Sequence, residues 1–444
     1  MQFEDKSLAA CAAQIIDNRG RTCPVGDNGL PLIATNCLRD GSLYPTYDTT
    51  RFVSPDVYRT WFRGHPKPGD LIFVTKGSPG RVCLAPDPVD FCIAQDMVAI
   101  RADETVLYPK YLFAVLRSEE VQRRISNLHV GSLIPHFKKG DFDKLMLPVP
   151  HCAAQVLIGD LYYEISVRID LLRQTNATLE SIAQALFKSW FIDFDPVRAK
   201  AEGREPEGMD AATAALFPAE FEDSALGLIP KGWGITQLCK IAELVKGRSY
   251  KSSELADSET ALVTLKSFER GGGFREDGFK SYQGSFKPVQ VVAAGECVIA
   301  LTDVTQQAEV IGRAALVTAS PNHNKLVASL DVGVLRPIAE GLTGSFLYFL
   351  CRGERYVQHV LGYTSGTTVL HLAKEGVESF QLPMPPSEVA RSYSALTEPL
   401  LQRITHNKLA AKVLVDLRDT LLPRLISGKL RLREAREVTE GALA

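Results

Sequence analysis

From Gln155 to Trp190 the chain sets Ile158, Leu161, Ile165, Ile169, Leu172, Asn176, Leu179, Ala183, Leu186 and Trp190 at steps of three and four residues, with one stutter. This is the narrow apolar seam of a coiled-coil helix, interrupted by one polar residue, Asn176. Neither Gly nor Pro falls between Asp160 and Asp195. Pro148 and Pro150 stop the chain before the stretch, and Pro196 stops it after. Such a helix spans roughly 54 Å at ~1.5 Å per residue, longer than a compact domain needs.

The same seam returns near the C-terminus. Adding 235 to each position gives Tyr393, Leu396, Leu400, Ile404, Asn407, Ala411, Leu414, Arg418, Leu421 and Leu425. The offset also holds upstream of both helices. Gly131-Ser132 matches Gly366-Thr367, His136 matches His371, Leu147-Pro148 matches Leu382-Pro383, and Arg117 matches Arg352. The chain therefore reads as a tandem duplication: domain, long helix, domain, long helix. The two helices, Gln155–Trp190 and about Ser387–Ile426, are expected to pack antiparallel, with Leu172, Leu179 and Leu186 buried between them.

Residues 1–150 read as a mixed α/β domain. Leu30–Ala34, Asp70–Val74 and Val98–Ile100 are strand-like, and Pro109 to Ile125 follows a helical pattern. Lys76-Gly77-Ser78-Pro79-Gly80 is a tight loop between strands, read either as an ordinary hairpin turn or, with Lys76, Ser78 and Arg81, as a contact surface. Residues 151–196 form the central long helix, and its end, Phe187 to Pro196, holds four aromatics in eight residues. Two readings stand for them: a cap on a core, or a protein-docking surface. Residues 197–230 read as a linker with a short Ala-rich helix, 231–386 as a second domain, 387–433 as the second long helix, and 434–444 as a tail.

In the second domain Lys246, Arg248 and Lys251 stand near Gly and aromatic residues, a mixture suited to phosphates. Glu254, Asp257 and Glu259 lie in the same run, so a mixed solvated surface is the competing reading. Thr302-Asp303-Val304-Thr305-Gln306-Gln307 takes the place that Lys76–Gly80 takes in the first domain. Thr302, Asp303, Thr305, Gln306 and Gln307 carry groups that read base edges, or that cap a turn. Gly131-Ser132 and Gly366-Thr367 sit at equivalent turns, where Gly lets a backbone approach closely and the hydroxyl can bond a phosphate or base.

Composition limits the function. Lys+Arg is 50 against Asp+Glu 52, a net charge of −2, so nucleic-acid contact must rest on local patches or partner subunits. The nine Cys are scattered with no C-x-x-C, the usage of a reduced cytosolic chain. No apolar run approaches the ~20 residues of a membrane span. No phosphate loop, dinucleotide fingerprint, H-E-x-x-H, Cys/His ligand cluster or G-x-S-x-G elbow occurs. Asp195-Pro196-Val197 lies nearest to an adenine-methyltransferase motif, and a helix stop explains its Pro. The chain shows no catalytic set and no metal site.

The string Leu179 to Pro196, containing Leu186-Phe187-Lys188-Ser189-Trp190-Phe191-Ile192-Asp193-Phe194-Asp195-Pro196, resembles specificity subunits of type I restriction–modification systems. So does Leu417-Arg418-Asp419-Thr420-Leu421-Leu422-Pro423-Arg424-Leu425, and Pro230-Lys231-Gly232-Trp233 looks like the family's opening of a target-recognition domain. The first domain lacks that opening, so its N-terminal edge is expected to be short or divergent. The resemblance implies two target-recognition domains, each reading half of a bipartite double-stranded DNA target and separated by two antiparallel coiled-coil helices. It implies two modification subunits that carry the methyltransferase site and S-adenosylmethionine, and restriction subunits that use ATP and Mg, with no cofactor in this chain. The docking candidates are Phe187, Trp190, Phe191, Phe194, Leu422 and Leu425. Two other classes stay open: a catalytic methyltransferase or nuclease, and a two-headed protein-binding scaffold.

Overall fold

The structure is a computed structural model that describes residues 3–47, 49–128, 135–305, 307–320 and 322–426. The chain divides into two compact units, one taking residues up to 175 with those from 407 onward, the other taking 176–406.

In the first unit, Leu71-Ile72-Phe73-Val74 is apolar at every position because both faces are covered. Leu71 and Phe73 point into one core with Val98, Ile100 and Val82, while Ile72 and Val74 point into another with Met97, Ala99 and Cys83. The strands form an antiparallel sheet in the order Ala12–Ile16, Met97–Ala102, Leu71–Val74, Val82–Leu84. A smaller sheet holds Leu30–Ile33 between Phe52–Val53 and a parallel Cys92–Ile93. Phe3–Ser7 pairs with Met146–Pro150, the strand that leads into the first long helix.

The second unit repeats this plan. Its sheet runs Ala242–Lys246, Val332–Pro337, Cys297–Ala300, Ala314–Leu316, again antiparallel throughout. Thr260–Val263 pairs parallel with Lys325–Ala328, as Leu30–Ile33 does with Cys92–Ile93. Ile235–Gln237 pairs with Gln381–Pro383. Met97–Ala102 and Val332–Pro337 coincide at the 235 offset, whereas Leu71–Val74 and Cys297–Ala300 coincide at 226. The constant offset therefore begins only at the strand Met97–Ala102. The second domain carries nine more residues between the two strands, 31 (301–331) against 22 (75–96).

The helical pattern from Pro109 resolves into two helices, Pro109–Leu116 and Glu119–Leu128. The break comes at Ser118, whose hydroxyl accepts from the amide of Val121. The first of these abuts the long helix at Gly159, where a Cβ would lie 2.6 Å from the Tyr111 nitrogen. At the matching joint of the second unit Ser394 stands in place of Gly159, and its hydroxyl meets Thr343, the N-cap of Gly344–Arg352, at 3.2 Å. This joint differs in charge as well. Arg352 and Tyr348 both donate to Glu180 of the first long helix, whereas Arg117 donates to the carbonyls of Val82 and Ser42.

The long helices run Cys152–Phe191 and Ser387–Ile426. In the first unit Ile158, Leu161, Tyr162, Ile165 and Ile169 share a core with Leu414, Leu421, Leu422 and Leu425. In the second, Ala183, Phe187 and Trp190 share a core with Val389, Ala390 and Tyr393, and Tyr393 donates to the Ala183 carbonyl at 3.1 Å. The beginning of each helix thus meets the end of the other, the antiparallel arrangement expected from the shared seam. Leu172, Leu179 and Leu186 are half-buried rather than buried. The second seam is also shifted. Leu396 is 49% exposed while Thr397 is fully buried, because the residue one turn beyond Tyr393 on this face is four positions on, not three.

Residues 197–230 hold most of helix Asp195–Ala201, the short Ala-rich helix Ala211–Ala215, and a hairpin, Phe221–Ser224 with Gly227–Pro230. Lys200 donates to the carbonyls of Ala214 and Phe217, and Phe217 packs edge-on against Trp190.

Candidate nucleic-acid interface

Lys76 follows the buried strand Leu71–Val74, and the chain then turns through Gly77 and Gly80 at φ 85° and 97°. The turn is tied to the segment before the long helix: Phe137 donates to the Thr75 carbonyl at 2.7 Å and Gly77 to the Pro135 carbonyl at 3.0 Å. Lys76 thereby bridges His136 across the ladder, and its ammonium lies 3.9 Å from Asp96. Beside Asp96, Gln95 adopts φ 61°, unusual for a residue other than Gly.

These residues wall a cleft of about 660 Å³ together with Asp17, Arg19, Arg21, Lys138 and Lys139. Five cations face two carboxylates there, a local basic site in a chain whose net charge is −2. Not all the cations are available. Arg19 is clamped by Asp17 at 2.9 and 2.8 Å, and its hydrogen bond holds the Asp17 carboxyl below the ordinary range. Arg21 lies 4.6 Å over the Trp61 ring. Lys138 and Lys139 are exposed and carry no ion pair among the described residues. Ser78 and Arg81 stand outside these walls, and Arg81 pairs with Asp40 at 3.1 Å. Gly131 and Ser132 fall outside the described residues.

The second domain builds the same constellation with one side chain exchanged. Thr302 pairs with His371, Leu372 donates to the Leu301 carbonyl at 2.9 Å, and the Thr302 hydroxyl donates to Asp331 at 2.8 Å. Lys76, His136 and Asp96 thus correspond to Thr302, His371 and Asp331. Leu370–Leu372 also pairs with Thr364–Ser365, so the loop after Thr302 and the turn at Gly366-Thr367 share one three-stranded sheet. Gly366 has φ 110°, and a Cβ there would lie 2.0 Å from the Val369 carbonyl oxygen, so this tip requires Gly.

Three of the expected contacts are corrected by burial or by partners. Asp303 is 1% exposed and accepts from the amides of Thr305, Val310 and Ile311. It staples its own loop and cannot reach a base. Thr302 is buried with its hydroxyl committed to Asp331. Arg248 donates to the Tyr282 hydroxyl at 2.7 Å and faces Glu254 at 3.7 Å, so its charge is spent inside the domain. Thr305 is half-buried and its hydroxyl accepts from the Glu309 amide. Lys246, Lys251, Gln307, Gly366 and Thr367 are exposed, and Gln306 lies outside the described residues.

The docking candidates are corrected too. Phe187, Trp190, Phe191 and Phe194 are at most 8% exposed and pack edge-on or tilted against Trp233, Phe346 and Tyr393. Leu422 and Leu425 are buried in the first unit's core. These aromatics are core, because the second domain closes over the helix end. The exposed apolar residues of the helices are others, among them Leu171 and Ile182 at 51% and 45%. Lys139 was legible by carrying the duplication three residues past His136, to Lys374. Gln95 was not, since its backbone angle leaves no mark in sequence.

Among the described residues no group of His, Cys, Asp and Glu could hold a metal ion, and no helix is long and apolar enough to cross a membrane.

The profile of the type I restriction modification DNA specificity domain family matches residues 63–181. The type I restriction enzyme HindI specificity subunit of Haemophilus influenzae is 24% identical over 414 residues, covering 82% of this chain and 87% of the relative. The MjaIX specificity subunit of Methanocaldococcus jannaschii is 23% identical, covering 82% and 78%. A crystal structure of a type I restriction–modification system S subunit from M. genitalium shares the fold, with TM-score 0.53 at 13% identity over 96% of each chain. With its duplicated domains and its two long helices, the chain is similar over 82% of its length to specificity subunits of type I restriction–modification systems, and residues 63–181 match the model of their DNA specificity domain.

Proposed function

We propose that this chain is the DNA-recognition component of a type I restriction–modification complex, each domain reading one half of a bipartite duplex target. The observation that carries the reading is the constellation built twice, Lys76–His136–Asp96 and Thr302–His371–Asp331, at the same place in both domains. Exposed Lys139 and Lys251 supply phosphate contacts, and the exposed loop and hairpin tips supply base contacts. The long helices act as the spacer between half-sites. The chain works in the cytoplasm without chemistry of its own. Modification subunits bring S-adenosylmethionine and the methyltransferase site, and restriction subunits bring the ATP- and Mg-dependent motor nuclease.

Methylated adenines mapped in a host with and without this chain test the proposal. The expected result is a split motif that appears only when the chain and the modification subunits are both present. Robust methylation or cleavage by the purified chain alone would overturn it. Lys139→Ala and Lys251→Ala should each weaken binding to every duplex and flatten the salt slope by about one.

A further inference from the structure

Because the two constellations correspond residue by residue, the positions around them compare one to one. One keeps its charge: Lys139 corresponds to Lys374 at the 235 offset. Others do not. Lys76 gives way to buried Thr302, Ser78 to Val304, Gln95 to Leu330 and Lys138 to Ala373. Val304 and Leu330 are 67% and 50% exposed. Val304 follows Thr302 by two residues and Leu330 precedes Asp331 by one, so both flank the hydrogen-bonded Thr302–Asp331 pair in sequence.

Every duplex presents the same phosphates to both domains, so a contact to phosphate should be kept in both. A contact that reads sequence should differ. The retained lysine position, Lys139 and Lys374, fits the first class. In the second class, ammonium groups only donate, and guanine offers two acceptors, N7 and O6, in the major groove. Exposed aliphatic side chains fit the C5-methyl of thymine, the apolar feature of that groove.

We infer that the first domain reads guanine through Lys76 and Lys138, and that the second reads thymine methyl groups through Val304 and Leu330. This rests on the proposed function and names the bases that each half-site must contain.

The experiment takes the full-length chain with its modification subunits and the duplex given by the methylation map. Uracil replaces thymine, or 7-deazaguanine replaces guanine, in one half-site at a time. Uracil in the second half-site should weaken binding about fourfold per contacted methyl. The Val304→Ser, Leu330→Ser double variant, exposed at both positions, should keep its melting temperature and lose that sensitivity. 7-Deazaguanine in the first half-site should weaken binding about fivefold or more, and Lys76→Ala with Lys138→Ala should abolish the difference. A second half-site without thymine, equal penalties in both half-sites, or penalties in the reverse halves would overturn the inference alone. A map with no split motif would overturn the proposed function itself.

Discussion

Truncating Phe187 separates a core aromatic from a docking aromatic. Its side chain is 0% exposed, with ring centroids 5.0 Å from Phe191, 5.2 Å from Phe346 and 5.6 Å from Tyr393. These partners come from the same helix, from the second domain and from the second long helix, so the site cannot collapse from one side. Phe187→Ala should therefore cost about 3–5 kcal/mol. For a unit of this size that lowers the melting temperature by about 10 °C. Calorimetry of the full chain should show the transition of residues 176–406 moving down while the other stays in place. Ile182→Ala, on the same helix but 45% exposed, should change stability by less than about 0.5 kcal/mol. The reasoning is refuted if Phe187→Ala melts like the parent chain and loses only its ability to assemble with modification subunits.

Asp303→Asn should cost about 1–3 kcal/mol at neutral pH. Burial pushes the Asp303 pKa up, but the amides of Thr305, Val310 and Ile311 outweigh it and the carboxyl titrates below its usual range. A depressed folded pKa stabilises above the unfolded value of about 4 and loses that effect as pH falls through the folded pKa, so urea titrations of parent and variant should converge in acid. Arg418 is 7% exposed over the Tyr162 ring, with one guanidinium nitrogen buried and unbonded among the described residues. Arg418→Leu should leave stability unchanged or raise it by about 1 kcal/mol, and a loss above about 2 kcal/mol on thermal melting would count against this. Removing seven residues from each long helix shortens both by about 10 Å, equal to about three base pairs. The methylation map should show a gap shorter by that amount or no methylation, and an unchanged gap would sink the spacer idea.

Periodicity carried the architecture. A seam at steps of three and four, repeated 235 residues later, was enough to expect two domains, two long helices and their antiparallel pairing, because hydrophobic spacing is a local property that burial enforces on every turn. The matching loops at Lys76 and Thr302 were legible for the same reason. Which loop residues face solvent was not. Asp303 and Arg248 look like recognition groups in sequence, yet amide donors from eight residues on and a tyrosine 34 residues away claim them. Val304 and Leu330 are apolar, yet stand exposed. The aromatics Phe187 to Phe194 exceed what one helical seam can bury, and only the closure of the second domain, with Trp233 and Phe346 brought in from far along the chain, makes them core. Burial of a side chain is decided by what folds over it, and that partner is set by the tertiary structure, not by the neighbours in sequence.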